Sequence, residues 1–385
     1  MKVPLFPRDA VNLLVTFFGF VVALVIAELC LRAGDVFAPV SVFANVSGLT
    51  ARDRQTDWDV EYRFNTAGFR GSELPVGPVS DERKRVVVIG DSFVFGQGVG
   101  EDEAFPAILQ EIWLNSGIER SVWNLGLIGV GPEAYYLVFR DVGVRLRPTL
   151  TVLTVFGNDA AAVYQPSGLR VFLRTLSHHI HLLVIPRIVR QRFAAVRGQA
   201  VTNSSDLFWR ELSARCAYFH SAIECQSFIE LFTSRFGFEI NNLAAACLGD
   251  PLEVARWIET EESSSGWVDF SRYLEKIRDL AVSNNSKLVI AVIADGPQVD
   301  QRQLSLRRQL GVAYRDDVGI GVGRFQELVA ALGAELGIPV FDSSSSFRKS
   351  PESLFFESDL HWNAAGHRLF ATELAQFIDE GKFAD

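Results

Sequence analysis

The chain of 385 residues contains little cysteine, no excess of positive charge and no internal repeat. Its net charge of -9 argues against nucleic-acid binding by the whole chain, because phosphate backbones are bound by strongly basic surfaces. The spacing of its four cysteines does not follow a zinc-binding pattern, so we predict no structural metal. These absences, with 48% hydrophobic and 22% charged residues, indicate an ordinary globular core.

Three of the cysteines, Cys216, Cys225 and Cys247, lie in one region of the chain, whereas Cys30 stands apart. A disulfide among these three is expected if the domain lies outside the cytoplasm. Three cysteines cannot all pair with one another, so the connectivity stays open.

One long hydrophobic run lies near the N-terminus. Val11 to Leu31 is about 21 residues long, nearly all apolar, with Glu28 as its only charge, a length that suits a bilayer-spanning helix of ~20 residues. It is longer than the apolar region of a typical signal peptide, and no A-x-A cleavage site follows. We predict an uncleaved single-pass anchor in residues 1–36, with a cleaved signal peptide or a buried core helix as alternatives. Lys2 and Arg8 precede the run and favour an extracytoplasmic position for the rest of the chain.

Residues 37–84 are predicted to be a juxtamembrane linker and lead-in, and residues 85–385 the main domain. In that domain strand-like apolar runs alternate with amphipathic helices, which indicates a parallel sheet covered by helices on both faces. The five predicted strands are Arg85–Ile89, Ser121–Leu125, Thr149–Phe156, Lys287–Ala294 and Pro339–Phe341. The predicted helices are Glu103–Asn115, Glu133–Val144, Tyr273–Ser283, Phe325–Leu336 and Ala364–Asp379, the last capped by Asn363.

The third and fourth strands are separated by more than 100 residues without a clear strand. That is too long for an ordinary loop, so we predict a helical insertion at about 160–272. No acidic residue occurs from Ala160 to Ser205, where arginines are interleaved with apolar residues. The basic stretch is either a solvated helix face or a surface for anionic lipid or an anionic glycan.

Two short motifs carry candidate chemistry: Gly90-Asp91-Ser92, directly after the first strand, and Asp359-Leu360-His361, just before the last helix. A serine needs an adjacent base, and the base needs a partner that fixes its tautomer. Ser92 is expected at the carboxyl edge of the sheet, where open α/β folds bind ligands. In an extended segment residues i and i+2 point the same way, so Asp359 can hold His361. His367 is an alternative base, but it falls inside the predicted last helix.

Covalent acyl transfer also requires donors for the oxyanion of the tetrahedral intermediate. Three candidates follow strand ends on the same predicted edge. They are the backbone N–H of Ser92, the backbone of Gly129, where the lack of a side chain allows close approach, and the side-chain amide of Asn158.

In chain order, Gly90-Asp91-Ser92, Gly129, Gly157-Asn158-Asp159 and Asp359-x-His361 resemble the four blocks of the SGNH/GDSL hydrolase superfamily. The resemblance covers roughly Arg85 to Ala384, with the insertion outside it. It implies a flavodoxin-like three-layer α/β/α core and no cofactor. It also implies Ser92 as nucleophile, His361 and Asp359 as base and acid, and Gly129 and Asn158 in the oxyanion hole. Asp-x-His followed by Trp362 is similar to the membrane-associated bacterial branch that includes the alginate-acetylation proteins.

The sequence and the resemblance together predict a membrane-anchored serine esterase. It is expected to remove O-acyl groups, foremost O-acetyl, from a cell-envelope glycan or lipid through a Ser92 acyl-enzyme, with envelope polysaccharide machinery as partner. An O-acetyltransferase that uses the same residues is one alternative. A lipase acting on membrane lipid and a non-catalytic glycan-binding module are the others.

Overall fold

The computed structural model describes part of the chain: residues 12, 15–20, 22–23, 50–55, 57–75, 84–160, 251–319 and 323–384. Most of the apolar run Val11 to Leu31 lies outside these residues, as do all four cysteines and the basic stretch of the predicted insertion. Within the described ranges, no helix has the length and apolar character needed to cross a bilayer. The anchor and the disulfide therefore stay predictions.

Five parallel strands form the central sheet, and a separate antiparallel pair precedes them. The sheet order is β4-β3-β5-β6-β7, which is 2-1-3-4-5 counted within the sheet and is the flavodoxin-like order. The predicted parallel α/β sheet is confirmed, with strand ends within two residues of those expected. The strands are β1 (Thr50–Arg54), β2 (Asp59–Arg63), β3 (Lys84–Ile89), β4 (Arg120–Asn124), β5 (Leu150–Val155), β6 (Lys287–Val292) and β7 (Val340–Asp342).

Helices cover both faces of this sheet. The α-helices are α1 (Ser92–Phe95), α2 (Phe105–Asn115), α3 (Pro132–Asp141), α4 (Pro251–Arg256), α5 (Ser265–Ser283), α6 (Gly296–Val299), α7 (Gln301–Gln309), α8 (Arg324–Leu336), α9 (Ser344–Lys349) and α10 (Ala364–Glu380). Two 3₁₀ turns, Gly143–Leu146 and Gly157–Ala160, flank β5. Helices α2 and α10 pack together on one face, whereas α3, α5 and α8 cover the other.

The apolar run of β3 is explained by burial on both sides. Val86 and Val88 belong to the hydrophobic cluster beneath α2 and α10, whereas Val87 and Ile89 belong to the cluster beneath α3, α5 and α8. Fully burying such a side chain contributes ~1.5–3 kcal/mol, so a continuous apolar strand is favoured only at the centre of a two-faced sheet. This strand places the residues that follow it at the middle of the carboxyl edge.

Helix α5 begins well before the predicted Tyr273. Ser264, in the middle of a short serine run, caps it by accepting a hydrogen bond from the Trp267 backbone N–H at 3.2 Å. Trp257 and Trp267 are both buried in the core. The segment 251–272, which the sequence assigned to the insertion, therefore contributes to the described core. Among the other predicted features, the Asn363 cap of α10 is confirmed, since its side chain accepts from Gly366 N–H at 3.1 Å.

The described part of the lead-in, residues 50–55 and 57–75, is folded against the domain. Its Arg70 side chain is 1% exposed and donates hydrogen bonds to three carbonyl oxygens just after Ser92. The acceptors are those of Phe95 at 3.1 Å, Gly96 at 2.5 Å and Val99 at 2.6 Å. An arginine buried among carbonyls fixes the end of α1, so this lead-in helps to shape the edge where Ser92 lies.

Candidate active site

Ser92 is the first residue of α1 and lies where β3 leaves the sheet. The sharp turn depends on Gly90, because a Cβ there would meet the Thr154 carbonyl oxygen at 2.9 Å. The Asp91 carboxylate accepts from the Phe93 backbone N–H at 3.0 Å and caps the short helix. Ser92 itself is 9% exposed, so its hydroxyl lies in a largely desolvated position.

Asp359 and His361 lie on the segment between α9 and α10. An isolated bridge pairs Phe355 with Trp362, and Phe356 N–H donates to the His361 carbonyl at 3.0 Å. One Asp359 oxygen accepts both from the His361 backbone N–H at 2.9 Å and from His361 Nδ1 at 2.5 Å. The two-residue spacing therefore brings the backbone and the ring of one histidine to the same carboxylate oxygen.

The structure brings these two segments together. His361 Nε2 lies 2.7 Å from Ser92 Oγ, so Ser92, His361 and Asp359 form one hydrogen-bonded line. With Nδ1–H donated to the carboxylate, Nε2 is the unprotonated nitrogen that accepts from the serine hydroxyl. The His361 ring also packs against Phe93, with ring centroids 4.9 Å apart, which limits its rotation.

His367, the alternative base, is not part of this line. It lies in the first turn of α10, fully enclosed, where Nδ1 accepts from the Phe105 backbone N–H at 3.3 Å. Nε2 has no hydrogen-bond partner among the residues that the structure describes. Burial lowers the pKa of His367 to about 3, with the nearby Arg70 charge as a further cause, so the ring is neutral at physiological pH. This histidine packs and accepts one hydrogen bond.

The two other predicted oxyanion residues lie on turns beyond neighbouring strands. Gly129 follows β4 and has a positive φ of 68°, which explains glycine at that position. Asn158 is in the 3₁₀ turn Gly157–Ala160 after β5. Both residues are exposed, and since β4 and β5 flank β3 in parallel, both turns emerge at the edge that carries Ser92. Their role as oxyanion donors stays a prediction.

The sequence reading missed two buried acids beside the line. Asp159 accepts from Phe156 N–H at 2.9 Å and from the Tyr135 hydroxyl at 2.7 Å. Burial raises the pKa of Asp159 well above its usual range, and the Asp91 carboxylate adds to this effect. Burial likewise raises the pKa of Asp91 to about 6. Both acids stand in motifs that the sequence displays, Gly90-Asp91-Ser92 and Gly157-Asn158-Asp159, so a sequence signal for them exists.

Side chains distant in sequence hold the histidine segment from outside. Asp57, in the lead-in, accepts from Ser358 N–H at 3.0 Å and from its hydroxyl at 2.6 Å. Gln303 on α7 donates to the Phe356 carbonyl at 2.9 Å. No local sequence motif predicts either residue, because the tertiary fold alone brings each of them close to the histidine segment.

A hydrogen-bonded serine–histidine–aspartate line at the carboxyl edge of a parallel sheet defines this domain as serine-hydrolase-like. Residues 258–385 match the family model described as ALGX, the SGNH hydrolase-like domain of the acetyltransferase AlgX. The predicted resemblance to the SGNH/GDSL superfamily, on its alginate-acetylation side, is thereby confirmed. The matched region contains Asp359 and His361, whereas Ser92 precedes it.

Several solved structures resemble the chain at low identity. The structure of TesA is 11% identical, with 77% of this chain and 99% of TesA covered and a TM-score of 0.39. The acetyl xylan esterase AlAXEase is 10% identical, with 76% and 99% covered and a TM-score of 0.39. A lipase/acylhydrolase from Enterococcus faecalis is 12% identical, with 77% and 96% covered and a TM-score of 0.36. No curated protein matches the chain.

Proposed function

We propose that this protein transfers an acyl group through Ser92, as an esterase of the SGNH type that removes O-acyl groups from a cell-envelope glycan or lipid. The observation that carries the proposal is the unbroken line from Ser92 Oγ through His361 to Asp359, with spacings of 2.7 and 2.5 Å. All three side chains are at least nine-tenths buried, where electrostatic interactions are stronger than in water.

In the first step, His361 Nε2 takes the hydroxyl proton as Ser92 Oγ bonds to the ester carbonyl carbon. Asp359 holds the Nδ1–H and stabilises the imidazolium that forms. The carbonyl oxygen gains the negative charge, which the Ser92 and Gly129 backbones and the Asn158 amide are proposed to stabilise. When the carbon–oxygen bond of the ester breaks, the leaving alcohol takes the proton from His361 and the acyl group stays on Ser92.

In the second step an acceptor hydroxyl attacks the acyl carbon of the acyl-enzyme while His361 Nε2 removes its proton. The bond between the acyl carbon and Ser92 Oγ then breaks, and His361 returns the proton to Ser92 Oγ. Water as acceptor gives hydrolysis, and a sugar hydroxyl gives an O-acetyltransferase by the same chemistry. The transferase is the second candidate, because the matching family model is described by the acetyltransferase AlgX. Acetyl is the proposed acyl group in both cases.

The substrate and the location belong to the same proposal. The apolar run Val11 to Leu31 supports attachment to a membrane with the domain outside the cytoplasm. In that position an acylated envelope glycan is the accessible ester, and polysaccharide machinery is the expected partner. A non-catalytic glycan-binding module would not need the buried serine–histidine contact, which is why we place the catalytic reading first.

The test is turnover of p-nitrophenyl acetate by the full-length chain beside Ser92→Ala and His361→Ala. We expect release of p-nitrophenol by the wild type and loss of it in both variants, with circular dichroism showing that each is folded. Unchanged release in Ser92→Ala would contradict the proposal. Folded wild type with no turnover and no acylated Ser92 would favour the binding module.

The acceptor and the acyl chain are separated by two further arms. A polysaccharide added during turnover gains acetyl if the protein is a transferase, whereas free acetate accumulates if it is an esterase. Esters of increasing chain length separate an acetyl-specific enzyme from a lipase, because a lipase retains activity on long acyl chains.

A further inference from the structure

A buried polar contact links the two turns that carry the predicted oxyanion donors Gly129 and Asn158. It joins the Tyr135 hydroxyl on α3 to an Asp159 carboxylate oxygen at 2.7 Å. Tyr135 is 1% exposed and Asp159 is 5% exposed, so both groups have been removed from water. Burying polar groups costs free energy unless their atoms form hydrogen bonds. The hydrogen-bond partners of these two side chains therefore show which parts of the backbone they hold in place.

On the β5 side the Asp159 carboxylate holds its own turn closed. Its second oxygen accepts from Phe156 N–H at 2.9 Å, and the Asp159 N–H returns a bond to the Phe156 carbonyl at 2.9 Å. Asn158 lies within this doubly bonded turn and is exposed at its surface. The position of the Asn158 backbone therefore depends on the Asp159 carboxylate.

On the β4 side the Tyr135 hydroxyl belongs to the helix that follows the Gly129 turn. Its oxygen lies 3.3 Å from the Val130 carbonyl, adjacent to Gly129. The Asp159 oxygen that accepts from Tyr135 also lies against Gly131, where a Cβ would be 3.8 Å away. This carboxylate oxygen therefore bonds to helix α3 at Tyr135 and lies near Gly131, the residue before that helix.

We propose that Tyr135 and Asp159 are positioning residues that hold the Gly129 turn and the Asn158 turn at a fixed separation, so that both donors reach one oxyanion. The inference rests on the proposed function, since it assigns the pair to the same acyl-transfer reaction. An apolar pair of equal volume would fill this part of the core, which contains Leu125, Leu127 and Val155. It would not connect the two backbones through directed hydrogen bonds.

Tyr135→Phe tests the proposal because it removes the hydroxyl and keeps the ring in the core. We expect kcat for p-nitrophenyl acetate to fall about 10-fold with little change in KM, since donors displaced by a fraction of an ångström lose part of their effect on the transition state. Tyr136→Phe is the matched control. It removes the neighbouring hydroxyl on the same helix, where the ring lies 5.7 Å from the Lys276 ammonium, and it should leave kcat unchanged.

The decisive experiment compares the same variants on a substrate whose carbonyl oxygen is replaced by sulfur. A thiono ester develops its charge on sulfur, which accepts hydrogen bonds weakly, so displaced oxyanion donors matter less to it. Tyr135→Phe should therefore lose about 10-fold on the oxygen ester and less than about 3-fold on the thiono ester, as should Asp159→Asn, which keeps the side-chain volume. Equal losses on both esters, or no loss on either, in folded variants would overturn the positioning role.

The wild-type arms separate this failure from failure of the proposed function. If wild type hydrolyses the oxygen ester and Ser92→Ala does not, the proposed function stands. The comparison of the oxygen ester with the thiono ester then tests the positioning role. If folded wild type shows no turnover that depends on Ser92, the proposed function is contradicted, and so is the positioning role that rests on it.

Discussion

Two regions near the C-terminus each carry one buried histidine, and their surroundings differ. In the segment before α10, both ring nitrogens of His361 face polar side chains, Ser92 Oγ and the Asp359 carboxylate. In the first turn of α10, His367 accepts one backbone hydrogen bond and presents Nε2 to the core. The rings are similarly buried, at 3% and 1% exposed.

The difference shows that burial alone does not make a base. A base needs an acceptor nitrogen directed at the group it deprotonates, and a carboxylate that stabilises the charge it gains. Burial without these partners disfavours the charged imidazolium, because it lowers the pKa of His367 to about 3.

The largest effect is expected from substituting the two histidines one at a time. His361→Ala should lower kcat/KM for p-nitrophenyl acetate on the order of 10⁴-fold, because the serine loses its base. His367→Asn keeps an acceptor for Phe105 N–H and should leave kcat/KM within about 3-fold of wild type, since this ring does not touch the reacting atoms. Comparable losses in two folded variants would show that the distinction is wrong.

Asp359→Asn should give the next largest effect. An amide in place of the carboxylate favours the wrong imidazole tautomer and cannot stabilise the imidazolium, so kcat should fall on the order of 10³–10⁴-fold. Stopped-flow measurement of the acylation step identifies the stage that is affected. Full activity in this variant would mean that His361 is oriented by other groups.

A smaller effect is expected from the lead-in. Asp57→Ala removes two hydrogen bonds to Ser358, the residue before Asp359, and should lower kcat about 10-fold by loosening the segment that carries the histidine. Asp53→Ala is a control in the same hairpin region, since that carboxylate contacts the Tyr62 hydroxyl instead. Equal kcat values for the two variants would argue that Asp57 does not position the histidine segment.

The smallest effect concerns stability rather than rate. The folded-state pKa of His367, about 3, lies below the ordinary value of 6.5, so only the unfolded chain binds its proton between these values. The contribution of this residue to stability is therefore present above pH 6.5 and is lost as pH falls towards 3, at up to ~1.4 kcal/mol per pH unit. Urea unfolding at several pH values should show that the free energy of unfolding depends less steeply on pH in His367→Asn than in wild type. Identical slopes would contradict the assigned pKa.

The sequence was most informative where local pattern and tertiary role coincide. Strand β3 is buried on both faces and reads as an unbroken apolar run, and Asn363 caps α10 as its position before an apolar-periodic stretch indicated. The hydrogen-bonded line of Ser92, His361 and Asp359 could likewise be predicted from the sequence. The acid and the histidine are two residues apart, and the serine follows a central strand.

Long-range contacts were not accessible in this way. The contact between Asp57 and Ser358 joins residues far apart in sequence, and Arg70 acts on carbonyl groups that have no sequence signature. The start of α5 was missed for a local reason, since Ser264, which caps the helix, stands in a serine run inside the predicted insertion. Helix α7, QRQLSLRRQ, is too polar to show a clear apolar face.

The central claim is that Ser92 is an acyl acceptor activated by His361. The most direct measurement is peptide mass spectrometry after rapid quenching of a p-nitrophenyl acetate reaction, on wild type, His361→Ala and His367→Asn. The account predicts one acetyl group on the peptide that contains Ser92 in wild type and His367→Asn, and none in His361→Ala. Acetyl on another residue, or equal acetylation of Ser92 without His361, would contradict it.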